Sequence, residues 1–180
     1  YTSIIEQNAQ VFRDILGDGN VLEHHANVTF DLSDGAPPGE VRRALATENW
    51  DMPVVVTTAV QLFESIYASR SSKCRKLHNL ANSVIIFDEA QMLPLAHLKP
   101  CVAAMASLAE QFHSTVVLCT ATMPSLDDLL RAYAPSCPVA ELCPQTAALY
   151  DKFCRVRFHQ AGTLTDETLS AELCGRKQVL

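Results

Sequence analysis

Two adjacent carboxylates, Asp88 and Glu89, end the run Ser83-Val84-Ile85-Ile86-Phe87, and Ala90-Gln91-Met92-Leu93-Pro94 follows them. An acidic pair in that position suits magnesium–nucleotide chemistry. One carboxylate can hold the ion, mostly through water, because magnesium keeps several waters and takes few protein ligands. The other can orient or deprotonate an attacking water. The competing reading is an acidic helix start, where carboxylates favour the helix dipole. Hydroxyls in two comparable positions bear on the choice. Val54-Val55-Val56 runs into Thr57-Thr58, and Thr115-Val116-Val117-Leu118-Cys119 runs into Thr120-Ala121-Thr122. Thr58 alone reads as a helix cap. Three apolar runs with polar ends say more than any one of them.

The elements that must position these residues follow from pattern. A short apolar run between polar boundaries reads as a strand buried on both faces of a parallel sheet. In an open α/β sheet, ligands bind at the carboxyl ends of the strands. The three polar ends are therefore expected along one edge. Ahead of them, residues 3–16 predict a helix with Ile5, Ala9, Phe12 and Leu16 on one stripe, a Ser3–Glu6 capping box and Gly17 as terminator. Val21 to His25 predicts a short strand, and 40–47 a short, weak helix. Thr58 and Gln61 cap a helix facing inward with Ala59, Leu62, Phe63, Ile66 and Tyr67. Residues 69–76 read as a polar, basic, solvated loop. A long helix over 95–112 turns Leu98, Cys101, Val102, Met105, Leu108 and Phe112 to one side. Ser125 with Asp128 starts another, with Leu126, Leu129, Leu130 and Tyr133 inward. Pro135, Pro138 and Pro144 mark a linker, Arg155 to His159 a strand, 165–174 an amphipathic helix and 177–180 the start of a further strand. Strands alternating with helices imply βαβ units.

Composition sets the outer limits. The 180 residues are 48% hydrophobic and 19% charged, which describes a globular chain. A net charge of −6 argues against a basic nucleic-acid coat. It leaves room for a local groove, since many phosphate contacts come from backbone N–H and hydroxyl groups. Seven cysteines, an odd number without a C-x-x-C pair, read as reduced thiols of a cytoplasmic protein. No apolar run reaches membrane-spanning length, so no membrane partner is expected. His24 and His25 are neighbours on a strand, so they point to opposite faces and cannot easily share one metal ion. Trp50 is expected to pack under the loop before Val54. No G-x-x-x-x-G-K-[ST] phosphate cradle occurs in the sequence. A start at Tyr1 and an end at Val179-Leu180 suggest a fragment.

Asp88-Glu89-Ala90-Gln91 resembles the DEAD/DEAH-type motif of superfamily 2 helicases, and Thr120-Ala121-Thr122 resembles their S/T-A-T motif. Tyr1 to Gln7 looks like the segment just after a phosphate loop. Thr47-Glu48-Asn49-Trp50-Asp51-Met52-Pro53 through Thr58, then Gln61 to Ser65 and Phe87 to Pro94, is similar to the helicase part of the CRISPR-associated helicase-nuclease of type I systems. The resemblance implies an incomplete first helicase lobe, a RecA-like parallel sheet with flanking helices, over residues 1–144, and a linker with the beginning of the second lobe over 145–180. It implies an ATP-driven motor on single-stranded DNA, fused to an HD nuclease and recruited by an RNA-guided CRISPR targeting complex. By the same resemblance Asp88 holds Mg, Glu89 activates water and Gln91 contacts the nucleotide phosphate or the other lobe. Thr120 and Thr122 couple hydrolysis to movement, and Thr2, Ser3, Thr57 and Thr58 touch the DNA backbone. Another DEAH-like RNA or DNA helicase, or a catalytically inert helicase-fold binding module, are the alternatives.

Overall fold

The computed structural model describes residues 2–30, 35–120, 126–143, 145–156, 160 and 162–174. Helix α1, Thr2–Leu16, leads through a 3-10 turn at Asp18–Asn20 into strand β1, Val21–His24. The helix begins ahead of Ser3, so the expected Ser3–Glu6 box does not mark its start. Ala9 is buried and Ile5 half-buried, but Ile4, Val11 and Ile15 stay exposed, so α1 is apolar on two sides. Helix α2, Pro38–Asn49, is longer than the expected 40–47. Pro38 opens it, where a missing N–H costs nothing. It ends at Trp50, left-handed at φ 61°, whose N–H closes the last turn on the Ala46 carbonyl at 2.7 Å.

Strand β2, Val54–Thr57, precedes α3, Ala59–Ile66, whose first turn is capped by Thr58. Leu62 and Ser65 form its buried side, while Ala59 and Tyr67 are exposed rather than inward. Two single-turn helices follow, α4 at Ser71–Cys74 and α5 at Leu77–Leu80. The first replaces half of the expected loop over 69–76, and the second lies just beyond it. Lys76 between them is buried, not solvated. Then come β3, Val84–Phe87, 3-10 turns at Ala90–Met92 and Leu95–His97, α6 at Leu98–Glu110, β4 at Thr115–Leu118 and α7 at Asp127–Tyr133. Cys101, Val102, Met105 and Leu108 of α6 are all buried, as the stripe predicts. Tyr133 is exposed. The expected Ser125 cap lies outside the described residues.

Both strand pairs are parallel, as the βαβ reading requires. β1 pairs with β2, His24 opposite Thr57, and β3 pairs with β4, Phe87 opposite Leu118. Among the described residues no ladder joins the pairs, so the single edge expected for three strand ends becomes two. Nor is β3 buried on both faces. Val84 is 66% and Ile86 63% exposed, while Phe87 is buried and Ile85 half-buried. An apolar run is buried twice only when elements cover both sheet faces, and here β3 is covered on one. The two pairs still share a core. Leu22, Trp50, Leu62, Phe87, Val102 and Met105 belong to one apolar cluster, and Phe63 stacks on Phe87 with ring centroids 5.7 Å apart.

Two compact units divide at Pro138 and Val139. The second holds α8, Thr146–Phe153, which pattern did not predict, and α9, Asp166–Leu173, capped by the Thr165 hydroxyl. Arg155 and Val156 are not in a strand. The rest of that expected strand, and the one over 177–180, lie outside the described residues.

Candidate functional site

The acidic pair sits where β3 and β4 end together. The ladder continues past both strands: Cys119 N–H donates to the Phe87 carbonyl at 2.8 Å, and Ala90 N–H to the Cys119 carbonyl at 3.0 Å. Asp88 and Glu89 are both exposed at this end. The Asp88 carboxylate accepts the Glu89 N–H at 3.0 Å. Glu89 is left-handed, with φ 53° and ψ 46°. A residue with a Cβ loses about 1–2 kcal/mol there, and such a conformation persists only where the surroundings hold it.

What holds it is a hydrogen-bond chain from just past the end of the neighbouring strand. The Gln91 side-chain N–H donates to a Glu89 carboxylate oxygen. The Thr120 hydroxyl donates to Gln91 Oε1 at 2.5 Å. Because the hydroxyl gives its hydrogen to the amide oxygen, the amide nitrogen is left facing Glu89. Glu89, Gln91 and Thr120 are thus brought together, with Asp88 beside them. Thr122 lies outside the described residues. The exposed carboxylate oxygens of Asp88 and Glu89 are hard donors of the kind that suit a magnesium ion held through water.

The hydroxyls of the other pair are engaged within the chain. Thr57 Oγ1 donates to the His24 carbonyl at 2.6 Å, across the strand pair. Thr58 Oγ1 accepts the Gln61 N–H at 3.0 Å, the cap expected from the pattern. The side chains of Thr2 and Ser3 lie outside the described residues.

One arrangement here had no sequence signal. Trp50 Nε1–H donates to His24 Nδ1 at 2.8 Å, across 26 positions. The ring of Trp50 is buried, and the Lys76 ammonium lies 5.5 Å from its centroid. Burial, then the charges of Lys76 and His25, push the His24 pKa down to about 4. Burial and Lys73 lower that of Lys76, with Glu48 opposing. The basic run is pinned to the end of α2. Arg75 pairs with Glu48 at 2.8 Å, and the Asn79 side chain donates to the Asn49 carbonyl at 2.9 Å.

Glu6, Glu23 and His25 place possible metal-binding atoms within 4.8 Å of one another. The bonding around them speaks against an ion. Arg13 pairs with Glu23 at 2.8 Å and brings a positive charge. His25 Nδ1 accepts the Asn27 N–H at 3.3 Å, so the neutral ring keeps its hydrogen on Nε2, which faces Glu23 at 2.9 Å. A ligating nitrogen needs a lone pair, and a histidine ligand donates its other N–H. The cluster is an ion-paired brace between α1 and β1. Burial opposes the charge of Glu23, yet bonds from His25 and Arg13 hold its pKa below the ordinary value.

Residues 1–129 match the DEAD/DEAH box helicase family. The chain is also 29% identical over 140 residues to the CRISPR-associated nuclease/helicase Cas3 of Haloferax volcanii. That alignment takes in 70% of this chain and 15% of the relative, so the chain spans a small part of the relative's length.

Proposed function

Because the chain belongs to the DEAD/DEAH box helicase family, we propose that it is the nucleotide-hydrolysing edge of an ATP-driven motor that moves on single-stranded DNA. The observation that carries this reading is the chain Thr120–Gln91–Glu89 across the joined ends of β3 and β4. It couples the residue assigned to water to a residue just past the end of β4.

Asp88 is the residue to hold Mg, through water, and Glu89 the general base that orients and deprotonates the attacking water. The ion supplies neutralisation of the charge that develops on the phosphates. Gln91 and Thr120 hold the Glu89 carboxylate in place until nucleotide arrives, and Thr122 completes the coupling segment. Thr2, Ser3, Thr57 and Thr58 are the residues assigned to the DNA backbone. Phosphate contacts of this kind come from hydroxyls and main-chain N–H groups, and a threonine already capping a helix keeps its own hydrogen to donate. Residues 1–144 form part of the first lobe and 145–180 lead into the second. The likeness to a nuclease/helicase supports an effector in which an HD nuclease degrades the strand that the motor exposes. The partner is an RNA-guided CRISPR targeting complex in the cytoplasm.

The test is the ATPase rate of the full-length protein with single-stranded DNA or RNA. DNA stimulates turnover, and Glu89→Gln abolishes it. Stimulation by RNA and not by DNA defeats the CRISPR assignment. No turnover with either leaves the fold as a docking module and defeats the motor.

A further inference from the structure

We propose that His24 is a preset hydrogen-bond donor to a phosphate oxygen of the bound nucleic-acid strand, its tautomer fixed by Trp50. This rests on the reading of the protein as a nucleic-acid motor.

The indole N–H of Trp50 can only donate. His24 Nδ1, 2.8 Å from Trp50 Nε1, must therefore present a lone pair. A neutral imidazole with a bare Nδ1 carries its hydrogen on Nε2. That hydrogen has no partner among the described residues. A protonated ring would place two hydrogens against each other, so the ring stays neutral while Trp50 is in place. The Lys76 ammonium, 5.5 Å from the indole centroid, and neighbouring His25 add to the cost of a second charge.

The partner is rigid. Trp50 is buried and caps α2 from a left-handed backbone. Its ring meets the imidazole edge-on, with centroids 6.1 Å apart at 79°. The main chain of His24 is also held, because its carbonyl accepts the Thr57 hydroxyl. His24 is the last residue of β1 and lies opposite the last residue of β2. Strand ends of this kind are where α/β sheets take ligands. A neutral donor with fixed direction matches the phosphate oxygens of a nucleic-acid backbone, which accept without regard to sequence.

The experiment measures binding of a fluorescein-labelled single-stranded oligonucleotide to the full-length protein by anisotropy at one fixed salt concentration. In His24→Asn the side-chain oxygen can take over from Nδ1 as acceptor for Trp50, but nothing replaces Nε2. In His24→Gln the longer amide brings an N–H to about the Nε2 position. Asparagine is expected to weaken binding about tenfold, the size of a lost hydrogen bond to a charged group. Glutamine is expected to bind close to wild type, although it melts lower because the buried Trp50 N–H loses its acceptor. If Asn binds like wild type, or if Asn and Gln lose equally, the donor role is overturned. If wild type binds no oligonucleotide, the motor reading falls and this inference with it. A second arm uses Trp50→Phe, which removes the N–H that makes Nδ1 the acceptor, while burial and Lys76 still disfavour the charged ring. The 15N chemical shifts of His24 at neutral pH should report one tautomer, with hydrogen on Nε2, in wild type and a mixture of the two in the variant. The same tautomer population in both proteins overturns the role of Trp50.

Discussion

Glu89 meets the site from a left-handed backbone, and its Cβ makes that conformation unfavourable. Glycine has no such penalty. Glu89→Gly is therefore expected to be more stable than Glu89→Ala by about 1 kcal/mol, read from urea unfolding. Equal stabilities would show that the turn relaxes once the carboxylate is gone. A second prediction concerns acid. His24 has its pKa pushed down to about 4 from an ordinary 6.5, so the unfolded chain takes the proton first. The stability this contributes is present above 6.5 and lost as pH falls toward about 4. Glu23, depressed from 4.5, adds a loss of the same sign below that value. Melting temperature should thus fall from pH 6.5 to 4, and less steeply in His24→Asn, which has no imidazole to titrate. An unchanged slope in that variant would separate His24 from the effect.

Helix α3 depends on the Thr58 side chain for its first turn. Thr58→Ala should lower stability by about 1 kcal/mol, and Thr58→Ser by much less, because serine caps as well as threonine. A calorimetric scan of the two variants checks it. That cap was legible in the sequence, since Thr58 and Gln61 lie one turn apart ahead of an apolar stripe. So were the carboxylates at the end of β3 and the buried stripe of α6, because each is a local pattern. The pairing of Trp50 with His24 was not, because nothing in either segment names a partner 26 positions away. The left-handed turn at Glu89 was hidden for a related reason, since its carboxylate is held through Gln91 by Thr120, which lies 29 positions past Gln91 and just beyond β4. The division into two strand pairs also escaped, because an all-apolar run of three valines or isoleucines shows a strand but not how many faces are covered. The basic run misled in the opposite way. Its composition reads as solvent-facing, but Lys76 is drawn under Trp50 by packing that charge counts do not encode.

At the scale of the whole chain, the acidic pair Asp88–Glu89 is present and a G-x-x-x-x-G-K-[ST] phosphate cradle is not. Walker lysines and arginine fingers each contribute heavily to phosphoryl transfer. These 180 residues expressed by themselves should therefore show no ATP turnover above background. Turnover that Glu89→Gln removes would overturn that expectation. The open face of β3 has a different consequence, one for the test tube. Val84 and Ile86 on the strand, and Val11 and Ile15 on α1, leave oily surface against water. Such a chain should behave as a sticky colloid. Its light scattering should climb with protein concentration and with ammonium sulfate, which strengthens apolar association. Replacing Val84 and Ile86 with lysine and glutamate should keep the solution clear.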